Sequence, residues 1–212
     1  MKLNKLVEDY YSSYDYRNLR DETKKQYQYF LGVMLQTEVE GKPLCHYDYT
    51  DTPTRVAKVA YNICCEKGIH MANHILSTTR IVFNHGLRME LCKLNPFANV
   101  RKRTVERRKV VWGREDVQKF LDAAYSDFST RNIGLIAHMA YEWCQRLGDM
   151  RLLSWDDIDF ESQTVHIEQS KRKADVHLPI SDDLFAMLTQ QEQDFGFQKY
   201  IAPRPNPIGG EY

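Results

Sequence analysis

Four groups of residues in this sequence are of types that could do chemistry. Arg146 is followed three positions later by Asp149, within Gln145-Arg146-Leu147-Gly148-Asp149. Lys171, Arg172 and Lys173 end the polar run that starts at Gln169 and Ser170. Arg101, Lys102, Arg103, Arg107, Arg108 and Lys109 fall within nine residues, opposed only by Glu106. His70 and His74 stand four apart. A guanidinium is a planar fork that stays charged and can grip two phosphate oxygens. A lysine on a flexible turn, its pKa lowered by neighbouring cations, can give up a proton. A basic run can hold a nucleic-acid backbone even in a neutral chain. Two histidines four apart on a helix could share a metal. No carboxylate or third histidine joins them at a recognisable spacing, so an exposed helical face is the better reading, and neither a metal nor a cofactor is expected.

Composition bounds the partners loosely. The 212 residues carry 29 Lys+Arg and 29 Asp+Glu, and this zero net charge counts against nucleic acid. Residues 1–100 carry 13 basic and 11 acidic side chains, and residues 101–212 carry 16 and 18. No apolar run approaches the eighteen or so residues of a membrane span, and the N-terminus has no apolar signal region, so a cytoplasmic protein is expected. The cysteines Cys45, Cys64, Cys65, Cys92 and Cys144 are odd in number and contain no CxxC pair, which favours reduced, mostly buried thiols.

The elements that must position these groups are mostly helical. Leu3, Leu6, Val7 and Tyr10 share a helical face, as do Tyr27, Phe30, Leu31 and Met34. Thr52-Pro53 reads as an N-cap and first helical residue, followed by Val56, Val59, Ala60 and Ile63, with Gly68 as the stop. A fourth helix carries Ile75, Leu76, Thr79, Val82 and Phe83 and should end before Asn95-Pro96. Beyond a basic linker at 101–109, Val117, Phe120, Leu121 and Ala124 mark one helix. Ile133, Ile136, Ala137, Ala140, Tyr141 and Cys144 mark another. Thr164–Glu168 and Asp175–Leu178 alternate around the polar turn and predict a β-hairpin, followed by a helix near Asp182–Gln191. The tail from Ala202 to Tyr212 is rich in Pro and Gly and has no periodicity.

The segment Gln145–Phe160, QRLGDMRLLSWDDIDF, resembles the first conserved box of the tyrosine recombinases, the phage integrase family. There an arginine at a helix start is followed by an acidic residue three positions on, and then by a Leu-x-Trp-x-Asp-Ile pattern leading into a small sheet. Val165-His166-Ile167, Gln169-Ser170-Lys171 and Val176–Ile180 are similar to the family's hairpin, whose turn carries a lysine. Asn95-Pro96-Phe97 is similar to the Asn-Pro that closes its core-binding domain. The resemblance implies a mainly α protein with a small antiparallel β-sheet. Residues 1–100 form a helical, SAM-like core-binding domain, 101–109 the linker, and 110–212 the N-terminal part of an α+β catalytic domain. It implies Arg146 as the first phosphate-clamping arginine, Lys171 as the general acid for the 5′-oxygen, and Asp149 as the residue orienting the arginine. Lys173 beside Lys171, and a surface-arginine reading of Arg146, stay open. Thr78, Thr79 and Arg80 on the fourth helix, Arg101, Lys102, Arg103 and Arg107 in the linker, and Lys173 are the DNA contacts suggested by charge and placement.

The family pattern continues with a His-x-x-Arg box and a tyrosine nucleophile, and neither follows Lys171 here. His85-Gly86-Leu87-Arg88 spells such a box upstream of Arg146, in the wrong order. Tyr200 and Tyr212 have no second arginine box before them. The fragment is therefore expected to bind double-stranded DNA of the attachment-site type without cutting it. It should also leave apolar surface on the helix ending at Cys144 uncovered. The family assembles as a tetramer on DNA; this fragment is expected to be monomeric or weakly associating. The alternatives are a non-catalytic DNA-binding regulator derived from a shortened integrase, and a helical interaction module with no DNA role.

Overall fold

The computed structural model describes residues 1–106 and 109–203, which fall into two compact units, Met1–Arg108 and Lys109–Tyr212. The fold is mainly α with small antiparallel sheets.

In the first unit, α1 (Leu3–Ser12), the short α2 (Tyr14–Arg17), α3 (Asp21–Gln36), α4 (Thr54–Glu66) and α5 (Ile69–Arg88) surround one core. The periodic residues of α1, Leu3, Leu6, Val7 and Tyr10, are all buried. Leu31 and Met34 of α3 are buried too, with Tyr27 and Phe30 packed at the edge. Between α3 and α4 lies a hairpin that periodicity does not reveal: β1 (Glu38–Val39) pairs antiparallel with β2 (Lys42–Pro43). Its turn places both Glu40 and Gly41 at positive φ, 54° and 71°, the backbone that a tight two-residue hairpin needs.

Two expectations for α4 are corrected. Pro53, not Thr52, is the N-cap, and the Thr52 hydroxyl instead donates to the Asp48 carbonyl over 2.5 Å. Val59 is 44% exposed, and the inward face is Val56, Ala57, Ala60, Tyr61, Cys64 and Cys65. Gly68, at φ 136°, makes the break between α4 and α5. His85 and Arg88 are structural. His85 is buried against Asp9 at 2.7 Å, and Arg88 pairs with Asp15 at 2.8 Å, tying α5 to α1 and α2. His74 stacks on Phe30, its ring 4.9 Å from that of His70.

In the second unit, α6 (Arg114–Tyr125) packs on α7 (Arg131–Glu142) where Gly134 lets the helices approach. A Cβ at 134 would meet that of Ala124 at 2.8 Å. The short α8 (Leu147–Met150) leads into the sheet β3 (Ile158–Asp159), β4 (Thr164–Glu168) and β5 (Asp175–Pro179), antiparallel in that order, and α9 (Asp182–Phe195) closes the core. Val165 and Ile167 face inward from β4. The buried Gln191 amide donates to Asn132 at 2.8 Å and to the Ile201 carbonyl at 2.7 Å, holding the end of the described chain against α7 and α9.

The face of α7 is the reverse of the sequence reading. Leu135 and Met139 are buried, whereas Ile133 and Tyr141 are 59% and 52% exposed, and Cys144 is exposed. Of the residues that marked this helix, Ile136 and Ala140 pack against the edge of the core, and Ile133, Tyr141 and Cys144 lie outward.

One half-buried network in this unit is built around a histidine. His138 Nδ1 lies 3.0 Å from the Tyr125 hydroxyl and its Nε2 3.9 Å from Glu142, whose carboxylate accepts from the Ser181 N–H and hydroxyl. Burial holds the imidazole below its usual 6.5, with Glu142 and Asp183 offsetting only part of the depression. The unfolded chain therefore binds this proton more readily than the native one, so stability is full above pH 6.5 and declines as the pH falls below it. The melting temperature should drop between pH 7.5 and 5.5, and by less in His138→Gln. Identical pH profiles for the two proteins would refute the assignment.

Candidate functional site

Arg146 is the N-cap of α8, in extended conformation at φ −73° and ψ 138°, with its side chain 44% exposed. The helical turn that follows swings Asp149 back beneath it. Asp149 is 7% exposed, and its Oδ2 lies 3.7 Å from the Arg146 guanidinium. The same carboxylate accepts the Ser170 N–H at 3.3 Å through Oδ1. A second tie runs beside it, for the Gln169 amide donates to the Gln145 amide oxygen at 2.8 Å. The hairpin turn is thus bonded twice to the turn that carries Arg146. Arg146 and Lys171 each follow a tied residue directly.

The hairpin's own geometry separates its two lysines. Lys173, at φ 54°, turns its ammonium back on Glu168 of β4, 2.7 Å away. Lys171 and Arg172 are exposed and enter no ion pair among the described residues. Of the two, Lys171 is the cation free of a carboxylate. Asp149 Oδ2 has no hydrogen-bond partner among the described residues, so the one buried carboxylate of the site has capacity left to hold a cation. Arg151, exposed just past α8, adds a further positive charge that the sequence reading passed over.

The contacts suggested on α5 are corrected. Thr78 and Thr79 are 3% and 2% exposed, and their hydroxyls donate to the carbonyls of His74 and Ile75 one turn back. The Arg80 guanidinium is spent inside the unit, donating to the Phe97 carbonyl at 2.9 Å and to the Val100 carbonyl. A helix of this amphipathicity buries part of its polar face, and spacing alone cannot tell a buried threonine from an exposed one.

The basic run divides differently. Arg101 and Lys102 are exposed. Arg103 is fixed to the first unit: its N–H donates to the Tyr61 hydroxyl at 2.7 Å, and its carbonyl accepts from Asn73 at 2.9 Å. Arg107 lies outside the described residues. Because the first unit runs to Arg108, it holds 18 Lys+Arg against 12 Asp+Glu, a surplus of six positive charges. The second holds 11 against 17. The neutral chain is two oppositely charged units, which removes the argument that net charge raised against a polyanionic partner.

Residues 113–202 match the phage integrase family. No curated protein matches the chain. Among solved structures it is similar to a lambda integrase dimer bound to a COC′ core site, at 20% identity and a TM-score of 0.79 over 99% of this chain and 59% of that one. It is similar as well to a lambda integrase tetramer bound to a Holliday junction, at 20% identity and 0.80, over 99% and 62%. The Tn1549 transposon integrase in complex with transposon right end DNA is 15% identical at 0.75, over 95% and 70%. The chain thus spans about three-fifths of the lambda integrase chains, and at these identities the likeness establishes the fold.

Proposed function

We propose, from the match of residues 113–202 to the phage integrase family, that this chain performs the DNA-holding part of site-specific recombination by a tyrosine-type integrase. The first unit, as a core-binding domain, supplies most of the affinity through its positive charge. Arg146 and Lys171 meet on one backbone phosphate, the guanidinium on its non-bridging oxygens and the ammonium beside the 5′-oxygen. Asp149 is a positioning residue that holds both. The observation that carries this reading is the pair of hydrogen bonds from the hairpin to the Arg146 turn, Gln169 to Gln145 and Ser170 to Asp149. Arginine and lysine are suited to the two tasks because one is a fixed bidentate donor and the other can release a proton. Neither Arg146 nor Lys171 is a nucleophile, so this pair holds and polarises the phosphate and does not attack it.

Fluorescence anisotropy with attachment-like duplexes across a salt series tests the reading. Each backbone phosphate contact contributes a slope of about −0.9 in log K against log salt, so several contacts give a steep loss of affinity. Arg146→Ala and Lys171→Ala should each weaken binding about three- to tenfold, the share of single charge-assisted contacts. Binding that ignores salt, or no binding at all, refutes the proposal.

A further inference from the structure

The surface of the first unit holds a cavity of about 410 Å³ whose lining carries three cations, Lys58 of α4 with Arg101 and Arg103, and two amides, Asn62 and Asn99. Tyr61 and Val100, both buried, complete it, and no acidic residue lines it. None of the three cations enters an ion pair among the described residues. Their surroundings are donors with few competing acceptors, which suits an anion bearing several oxygens.

The segment that brings Arg101 and Arg103 here is held from both sides. Upstream, Arg80 grips the carbonyls of Phe97 and Val100. Downstream, the Tyr61 hydroxyl accepts the Arg103 N–H and donates to Asn73 Oδ1 at 2.6 Å, while the Asn73 amide donates to the Arg103 carbonyl. Burial pushes the Tyr61 phenol up, so it stays neutral and able to donate. The Arg103 guanidinium is set by a 3.1 Å bond to Asn62 Oδ1, which turns the Asn62 NH₂ group away from that bond. A site whose donors are already fixed loses little freedom on binding.

We propose that this cavity seats a backbone phosphate of duplex DNA, with Lys58 and Asn62 bringing α4 to the duplex beside Arg101 and Arg103. The inference rests on the DNA-binding reading above. A duplex is the favoured source of the phosphate because the whole unit carries a surplus of six positive charges, and Lys102 stands exposed on the same segment.

The test uses the full chain, with Lys58→Gln/Arg101→Gln as the variant and Lys93→Gln, an exposed cation away from the cavity, as the control. The double variant should bind a duplex at least tenfold more weakly in low salt, and its plot of log K against log salt should flatten by about one, the share of one phosphate. The control should stay within about twofold. Reductive methylation of the unaltered chain provides a reading independent of any variant: the duplex should protect Lys58 and not Lys93. An unchanged slope with Lys58 unprotected overturns the pocket while leaving the DNA-binding reading intact. Failure of the unaltered chain to bind any duplex overturns both. A melting temperature raised by inorganic phosphate and lost in the double variant, with the DNA slope unchanged, makes the cavity a free-anion site and likewise overturns the proposal.

Discussion

Asp149→Ala should destabilise the second unit by about 2 kcal/mol, the cost of losing a hydrogen bond to a charged acceptor at a buried position. Asp149 is 7% exposed, and its carboxylate both accepts from the hairpin turn and faces Arg146. Its removal leaves the Ser170 N–H without the Asp149 oxygen and leaves Arg146 without the carboxylate beneath it. The Gln145–Gln169 bond, from the residue before Arg146, remains. Amide exchange at Gln169–Lys173 should accelerate by more than that of the β4–β5 ladder, because local opening of the turn no longer breaks the carboxylate bond. Asp149→Asn separates the two duties. It keeps an acceptor for Ser170 and loses the charge toward Arg146, so it should recover most of the stability and little of any phosphate affinity that Asp149 confers through Arg146. Equal recovery of both would show that the carboxylate has only a structural duty.

The parts of this site legible in the sequence are those set by local pattern. Arg146 at a helix start, the three-residue step to Asp149 and the alternating strands around Gln169–Lys173 are all visible as spacing, because a helical turn and a β-strand each impose their own period. The pairing of Lys173 with Glu168 was not visible. It depends on Lys173 adopting positive φ, which a lysine rarely does and no sequence pattern marks. The faces of helices were harder still. α7 has apolar residues on two sides, Leu135 and Met139 on one and Ile133, Ala137 and Tyr141 on the other. Periodicity reports that a stripe exists and not which stripe the sheet covers. The charge asymmetry was hidden by a boundary placed eight residues early. Residues 101–108 hold five basic side chains and one acidic, and assigning them to the first unit turns a near-neutral half into a strongly positive one. The β1–β2 hairpin escaped notice because two-residue strands show no alternation and Glu40-Gly41 is a weak turn signal.

Phe83→Ala should destabilise the first unit by about 3–5 kcal/mol. The ring is fully buried and packs on Phe97 with centroids 5.4 Å apart. Its loss leaves a cavity at the point where α5 meets the segment carrying Asn95, Phe97 and Val100. Phe83→Leu, which refills most of that volume, should cost markedly less. Against a typical total of 5–15 kcal/mol, the alanine variant removes a large part of what keeps a domain folded. Amide exchange within Met1–Arg108 reads it directly, and a change below about 1 kcal/mol would mean that the ring does not pack as described. The consequence for DNA follows from where Phe97 sits. Its carbonyl is gripped by Arg80, and its N–H donates to Asn95 Oδ1 at 2.9 Å, so the ring anchors the backbone that presents Arg101 and Arg103. At a temperature where the unaltered chain is folded, Phe83→Ala should therefore lose most of its affinity for a duplex, whereas Asp149→Ala should lose only the share carried by Arg146 and Lys171. The opposite ranking would place the affinity in the negatively charged unit, where Coulomb's law gives it least support.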